Sequence, residues 1–221
     1  LLDDHVLIDC GPTVPAALAR FNADAAEITD IVITHNHSDH FDMESVKKIA
    51  GNGKIRLFGS PQVCAEAEVC CEVHPVSYGC RFQVAGFDFL ALPANHAVED
   101  PYEDTFLYVI SGGGRTLLYA LDTAWFSSRA KRFLGTSYLD GIIWDATMSE
   151  AGDWRVFDHS DPTMFRVIRK TLAQSRNIDE KTRIWFNHRA RTLWPADPAE
   201  QEKIAVRENA ELAHEGEIVI F

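Results

Sequence analysis

The β-branched run Ile31-Val32-Ile33 leads straight into Thr34-His35-Asn36-His37-Ser38-Asp39-His40, which crowds three imidazoles and a carboxylate into six positions. Desolvated polar groups at this density are costly to keep together unless something positive binds them. The chain must therefore fold so that a rigid strand end presents a loop able to wrap an ion. His35 and His37 can reach one ion, while Asp39 and His40 turn toward a second place. Imidazole with carboxylate suits zinc, manganese or iron, and a cluster without cysteine argues against a closed structural zinc site.

The same grammar, a strand followed by an acid or a histidine, recurs along the chain. Leu92 precedes His96, Leu121 precedes Asp122, Trp144 precedes Asp145 and Phe186 precedes His188. Strand ends that carry such residues can converge on one edge of a sheet sandwich and build a site on a rigid scaffold.

Between these points the patterns predict strands over Val6 to Cys10, Ile31 to Thr34 and Lys54 to Phe58, with helices over Thr13 to Asn22, Ser45 to Ala50 and Pro61 to Cys71. Short strands around Gly86 fill Phe82 to Pro93. Phe106 to Ile110 and Thr116 to Leu121 flank Ser111-Gly112-Gly113-Gly114-Arg115, a hairpin signal. Gly141 to Trp144 and Arg183 to Phe186 read as strands, Ser160-Asp161-Pro162 starts a helix over Thr163 to Gln174, and Glu217 to Phe221 reads as a last short strand. The strand Val6 to Cys10 resembles an interior one, so an N-terminal part of the natural protein, at least one sheet strand, is expected to be missing.

With 221 residues and no linker or low-complexity tract, a single domain over 1–221 is expected. No apolar stretch approaches the ~20 residues of a membrane span, and Leu1-Leu2-Asp3-Asp4-His5 lacks the pattern of a signal peptide. The net charge of −12 disfavours a general nucleic-acid-binding surface, so an anionic substrate has to be held by metal ions and a few local basic groups. Cys10, Cys64, Cys70, Cys71 and Cys80 are odd in number and show no disulfide framework, which fits a reducing cytoplasm. Cys70-Cys71 with His74 and Cys80 has irregular spacing for a zinc site, and free thiols are the better reading.

Taken in order, His35, His37, Asp39 and His40 as HxHxDH, His96 in Pro93-Ala94-Asn95-His96, Asp122 in Leu121-Asp122-Thr123, and His188 resemble the metallo-β-lactamase fold superfamily of metal-dependent hydrolases over essentially the whole chain. That resemblance implies an α+β fold, an αββα sandwich, here lacking an N-terminal portion. It also implies two divalent metal ions, Zn²⁺ or Mn²⁺. His35, His37 and His96 would bind one ion and Asp39, His40 and His188 the other, with Asp122 bridging and a shared hydroxide as nucleophile. Asp9 either orients a ligand histidine or caps a buried turn.

The C-terminal part narrows the resemblance. Trp144-Asp145-Ala146-Thr147, Phe157-Asp158-His159-Ser160 and Trp185-Phe186-Asn187-His188 look like the phosphoribosyl 1,2-cyclic phosphate phosphodiesterases of phosphonate breakdown by the carbon–phosphorus lyase pathway. By that likeness His159 donates a proton to the leaving alkoxide and joins Asp39 and Asp122 as a catalytic residue. The substrate is then a small phosphodiester, with neither nucleic acid nor membrane as partner and a homodimer expected. Arg189 and Arg191 either hold the substrate's terminal phosphate or are solvated surface charges. Rival readings are an RNA-processing endonuclease, a lactone or thioester hydrolase, and a carrier or accessory protein on the same scaffold.

Overall fold

The computed structural model describes residues 1–51, 53 and 55–220. Lys54 and Phe221, the ends of two expected strands, lie outside the described residues. The chain divides into two compact units, the first Leu1–Ala91 with Val98–Phe106, the second Leu92–Ala97 with Leu107 onward.

In the first unit, β1 (Val6–Ile8), β2 (Asp30–Val32), β3 (Ile55–Gly59) and β4 (Cys71–Pro75) form a wholly parallel sheet in that order. The crossovers are α1 (Val14–Arg20), α2 (Met43–Ala50) and α3 (Pro61–Ala67). A parallel sheet needs apolar strands covered by helices. Leu7, Ile31, Ile33, Leu57, Val46 and Val63 meet that requirement in one buried cluster. The register pairs Ile8 with Val32 and Val32 with Phe58, so β1 and β2 run out at the same edge. β5 (Arg81–Val84) and β6 (Phe87–Pro93) form a hairpin across Ala85 and Gly86, both at positive φ, as a two-residue primed turn requires.

In the second unit the strand order is β11-β10-β9-β8-β7, made of β7 (Phe106–Gly112), β8 (Arg115–Ala120), β9 (Gly141–Asp145), β10 (Arg183–Asn187) and β11 (Glu211–Leu212). β7 and β8 are the expected hairpin, turning on Gly113 and Gly114 at φ 58° and 79°. The other pairs are parallel, with α4 (Ser128–Leu134), α5 (Pro162–Gln174) and α6 (Pro198–Arg207) between them. Trp144 of β9 packs on Phe165 of α5, which meets Phe186 of β10 edge to face. Ala120 pairs with Trp144 and Asp145 with Asn187, so β8, β9 and β10 end at a common edge.

Two expectations need correction. The helix from Pro61 stops at Ala67, and Cys71–Pro75 is a strand because it completes the ladder beside Ile55–Gly59. Glu217–Ile220 is no strand; Glu211–Leu212, paired with Trp185 and Phe186, takes the edge position instead. Among the described residues no helix is long and apolar enough to cross a membrane.

One close approach in the first unit governs the histidine loop. Cys10 N–H donates to the His40 carbonyl at 2.6 Å, and Asp42 N–H donates to the Cys10 carbonyl at 2.9 Å. Between them a Cβ added at Gly11 would stand 2.0 Å from the carbonyl oxygen of Asp39. That neighbour is backbone and cannot swing away, so Gly11→Ala is expected to cost ~1–3 kcal/mol or more in urea unfolding of the metal-free protein. An unchanged midpoint would show that the loop is looser than this contact implies.

Candidate metal centre

Each unit carries its own histidines at a strand edge. At the edge of the first unit, β1 ends on Asp9, which holds φ 59°. Left-handed backbone is uncommon outside glycine and is tolerated best by Asn, Asp and His. This turn drops the Asp9 carboxylate under the 34–40 loop. Its Oδ2 accepts from His40 Nδ1 at 2.9 Å, and its Oδ1 accepts from the backbone N–H of Thr34 at 2.8 Å. Of the two readings open in the sequence, orientation of a histidine is therefore the one realised.

The loop itself closes through His40 N–H and Phe41 N–H, both donating to the His37 carbonyl. Asp42 then caps α2, accepting from Ser45 N–H at 2.9 Å and Ser45 Oγ at 2.6 Å, and these bonds hold its carboxyl below the usual carboxylate range. The far side is tied by Phe106 N–H to the Thr34 carbonyl and by the Asn36 amide to Glu66. His35 Nε2 and His37 Nδ1 are thereby held 3.1 Å apart. Two nitrogens on one tetrahedral ion at 2.0–2.1 Å bonds stand about 3.3 Å apart, so the pair has the bite of a shared cation. His40 lies with its ring centroid 4.3 Å from that of His35, and its Nε2 is 3.6 Å from Asp39 Oδ2.

At the edge of the second unit, Asp122 follows β8 at φ 51° and His188 follows β10 at φ 57°. Three imidazole nitrogens gather on Asp122 Oδ1: His188 Nε2 at 3.3 Å, His159 Nδ1 at 3.6 Å and His96 Nε2 at 4.0 Å. His96 is turned by the carbonyl of Asp158, which accepts from its Nδ1 at 3.0 Å, while Ala97 N–H donates to the Asp158 carboxylate. The His159 ring sits 5.0 Å from that of His96 and stacks 5.3 Å from that of His188. His159 does not cap α5; Asp161 does, accepting from Thr163 and Met164 N–H.

Asp145, which the sequence marks as a strand-end acid without a role of its own, is tied to two of the site's histidines. It is fully buried at the end of β9, where Oδ2 accepts from His159 Nδ1 at 2.9 Å and from Thr123 N–H at 3.0 Å, and Oδ1 accepts from Thr147 N–H at 2.8 Å. The signal was present, since Asp145 obeys the same strand-then-acid grammar as Asp122. Asp122, Asp145, His159 and His188 together offer ligand atoms within 4.8 Å of one another. Arg189 is committed elsewhere: it donates to Gln201 Oε1 and to the Ala213 carbonyl, and burial pulls its pKa down. Arg191 is exposed.

The donor chemistry fits divalent metal ions. His40 and His96 are engaged at Nδ1 by an acceptor, which makes that nitrogen the N–H and leaves Nε2 the lone pair for an ion. Hard carboxylate and borderline imidazole donors, without thiolate, suit Zn²⁺ or Mn²⁺ equally.

A sequence model of the family described as a beta-lactamase superfamily domain matches residues 4–184. No curated protein matches the chain by sequence. Among solved structures it is similar to a diphosphatase of the PhnP family, at 20% identity and TM-score 0.69, covering 98% of this chain and 79% of that one. It is also similar to the metallo-β-lactamase fold protein YhfI from Bacillus subtilis, at 14% identity and TM-score 0.73, covering 98% and 88%. Human tRNase Z, short form, matches at 17% identity and TM-score 0.66, covering 100% and 90%. These likenesses show the metallo-β-lactamase fold, as the order of motifs led one to expect.

Asp145→Ala strands the N–H groups of Thr123 and Thr147 in a buried place, at about 1–3 kcal/mol for each unsatisfied group. Unfolding of the chelator-treated protein is expected to show a loss of ~3 kcal/mol or more, with Asp145→Asn intermediate. A loss within ~0.5 kcal/mol, the range of ordinary surface changes, would mean that Asp145 is not the anchor its contacts describe.

Proposed function

Since the chain belongs to the β-lactamase superfamily and is a metal-dependent hydrolase, we propose that its substrate is a small cyclic phosphodiester of the phosphoribosyl 1,2-cyclic phosphate kind. The observation that carries this reading is the pair of His159 and Asp145 beside Asp122. Hydrolysis of an alkyl phosphodiester expels a basic alkoxide, and a proton donor at the leaving oxygen is then worth about 10²–10⁴-fold. His159 has the geometry for that role. Asp145 Oδ2 accepts from Nδ1–H, so Nε2 is the atom that would carry the exchangeable proton. As the bond from phosphorus to the leaving oxygen breaks, the proton on Nε2 passes to that oxygen and His159 is left neutral.

We assign His35, His37, Asp39 and His40, together with His96, Asp122 and His188, as the metal ligands. Two divalent ions there would lower the pKa of a water nucleophile and neutralise charge on the phosphoryl oxygens. The chain's own contribution is to fix the imidazoles through Asp9, Asp145 and the Asp158 carbonyl before any ion arrives. The similarity to a PhnP-family diphosphatase supports phosphoryl transfer to water over lactone or thioester cleavage. A net charge of −12 supports a small anion rather than a polynucleotide as substrate. All five cysteines are free, which supports action in the reducing cytoplasm.

His37→Ala and Asp122→Ala are expected to lose bound metal by elemental analysis and to lose turnover with it. His159→Ala should keep its metal yet fall by about 10²–10⁴-fold on an alkyl cyclic diester, and far less on an aryl diester whose leaving group needs no proton. Equal losses on both substrates would remove His159 from the proton-donor role. A panel of cyclic diesters, linear diesters and lactones decides the substrate class, and turnover confined to lactones would sink the phosphodiesterase reading.

A further inference from the structure

Thr34 and Thr147 hold the same chemical position in the two units. Thr34 donates both its N–H (2.8 Å) and its Oγ1–H (2.9 Å) to Asp9 Oδ1, and its Oγ1 stands 2.9 Å from His35 Nδ1. Thr147 donates its N–H (2.8 Å) and its Oγ1–H (2.7 Å) to Asp145 Oδ1, and its Oγ1 stands 2.8 Å from His188 Nδ1. In both units the second carboxylate oxygen receives another histidine directly, His40 in one and His159 in the other, each at 2.9 Å.

The proton count leaves one arrangement. An ionised carboxylate only accepts, and a threonine hydroxyl has a single hydrogen to give. With that hydrogen on Asp9 or Asp145, the hydroxyl oxygen can meet the imidazole only as an acceptor. Nδ1 of His35 and of His188 must then carry an N–H, and in the neutral ring Nε2 is the nitrogen left with the lone pair. Both threonines are buried, at 1% and 4% exposure, so their hydroxyls are held on these partners and not on bulk water. We infer that Thr34 and Thr147 are positioning residues that lock His35 and His188 into the tautomer and ring orientation in which Nε2 faces a metal ion. This rests on the reading of those two histidines as ligands and goes beyond it by naming what prepares them.

Imidazole ¹⁵N NMR on the full chain stripped of metal tests the lock directly. The wild type should show His35 and His188 as Nδ1–H tautomers, and an Nε2–H form at either would overturn the inference without any variant. Thr34→Val and Thr147→Val keep the shape and delete the hydroxyl. Each should give a mixed tautomer at its own histidine and a 10–100-fold weaker affinity for Zn²⁺ by chelator competition. Thr34→Ser and Thr147→Ser should restore both. Valine variants that retain tautomer and affinity, or serine variants that lose them as fully as valine, would refute the relay, since a merely structural role moves stability and not the tautomer. A wild type that shows the tautomers yet binds no Zn²⁺ would instead count against the metal reading and leave the relay standing.

Discussion

A buried carboxylate at a strand end is the constraint on which each unit depends. Placed under a histidine loop and cut off from water, an aspartate has to be satisfied by donors, and the nearest donors are imidazoles, threonine hydroxyls and backbone N–H groups. Asp9 and Asp145 are satisfied in this way, and in being so they fix the rings around them. The bonds that solve a burial problem are thus the ones that aim the imidazoles. The site needs no separate scaffold.

The backbone contributes through strain that only certain residues tolerate. Asp9, Asp122 and His188 all sit in left-handed backbone within two residues of a strand end. Such a turn bends the chain sharply off the sheet and throws the side chain over the edge, where an extended residue would continue the pleat. It also limits what can replace them, because a β-branched or bulky residue would be far less at ease there. Chemistry and conformation therefore select the same residue types at these positions.

The parts legible in the sequence are those in which local pattern and tertiary role coincide. Ile31 to Ile33 is apolar because a covered parallel strand needs it, and the histidines follow because the strand stops there. The helix expected over Pro61 to Cys71 ends at Ala67, and Cys71–Pro75 is an edge strand whose half-buried, partly exposed positions give little pattern of their own; the ladder beside β3 defines it. α6 was missed although Asp197 and Pro198 mark its start, because it buries little beyond Ala205 and so lacks an apolar face. Glu217–Ile220 has the composition of a strand but joins no ladder among the described residues. Asp145 shows its strand-end place in the sequence but not its role, which is to receive hydrogen bonds from residues 2, 14 and 22 positions away.

The shared carboxylate has a consequence for how the chemistry can vary. In the second unit Asp145 holds the proposed proton donor, His159, directly and the proposed ligand, His188, through Thr147. The charge that His159 would give up with its proton is felt by the same carboxylate that polarises the hydroxyl beside His188, because hydrogen bonds in a low-dielectric interior polarise one another. The basicity of the donor and the strength of the ligand are therefore not independent settings. In the first unit the partners of Asp9 are both proposed ligands, His40 directly and His35 through Thr34, and the proposal moves no proton there. One bonding pattern thus serves a static role in one unit and a dynamic role in the other. What separates them is whether the histidine bound directly to the carboxylate holds an ion or gives up a proton.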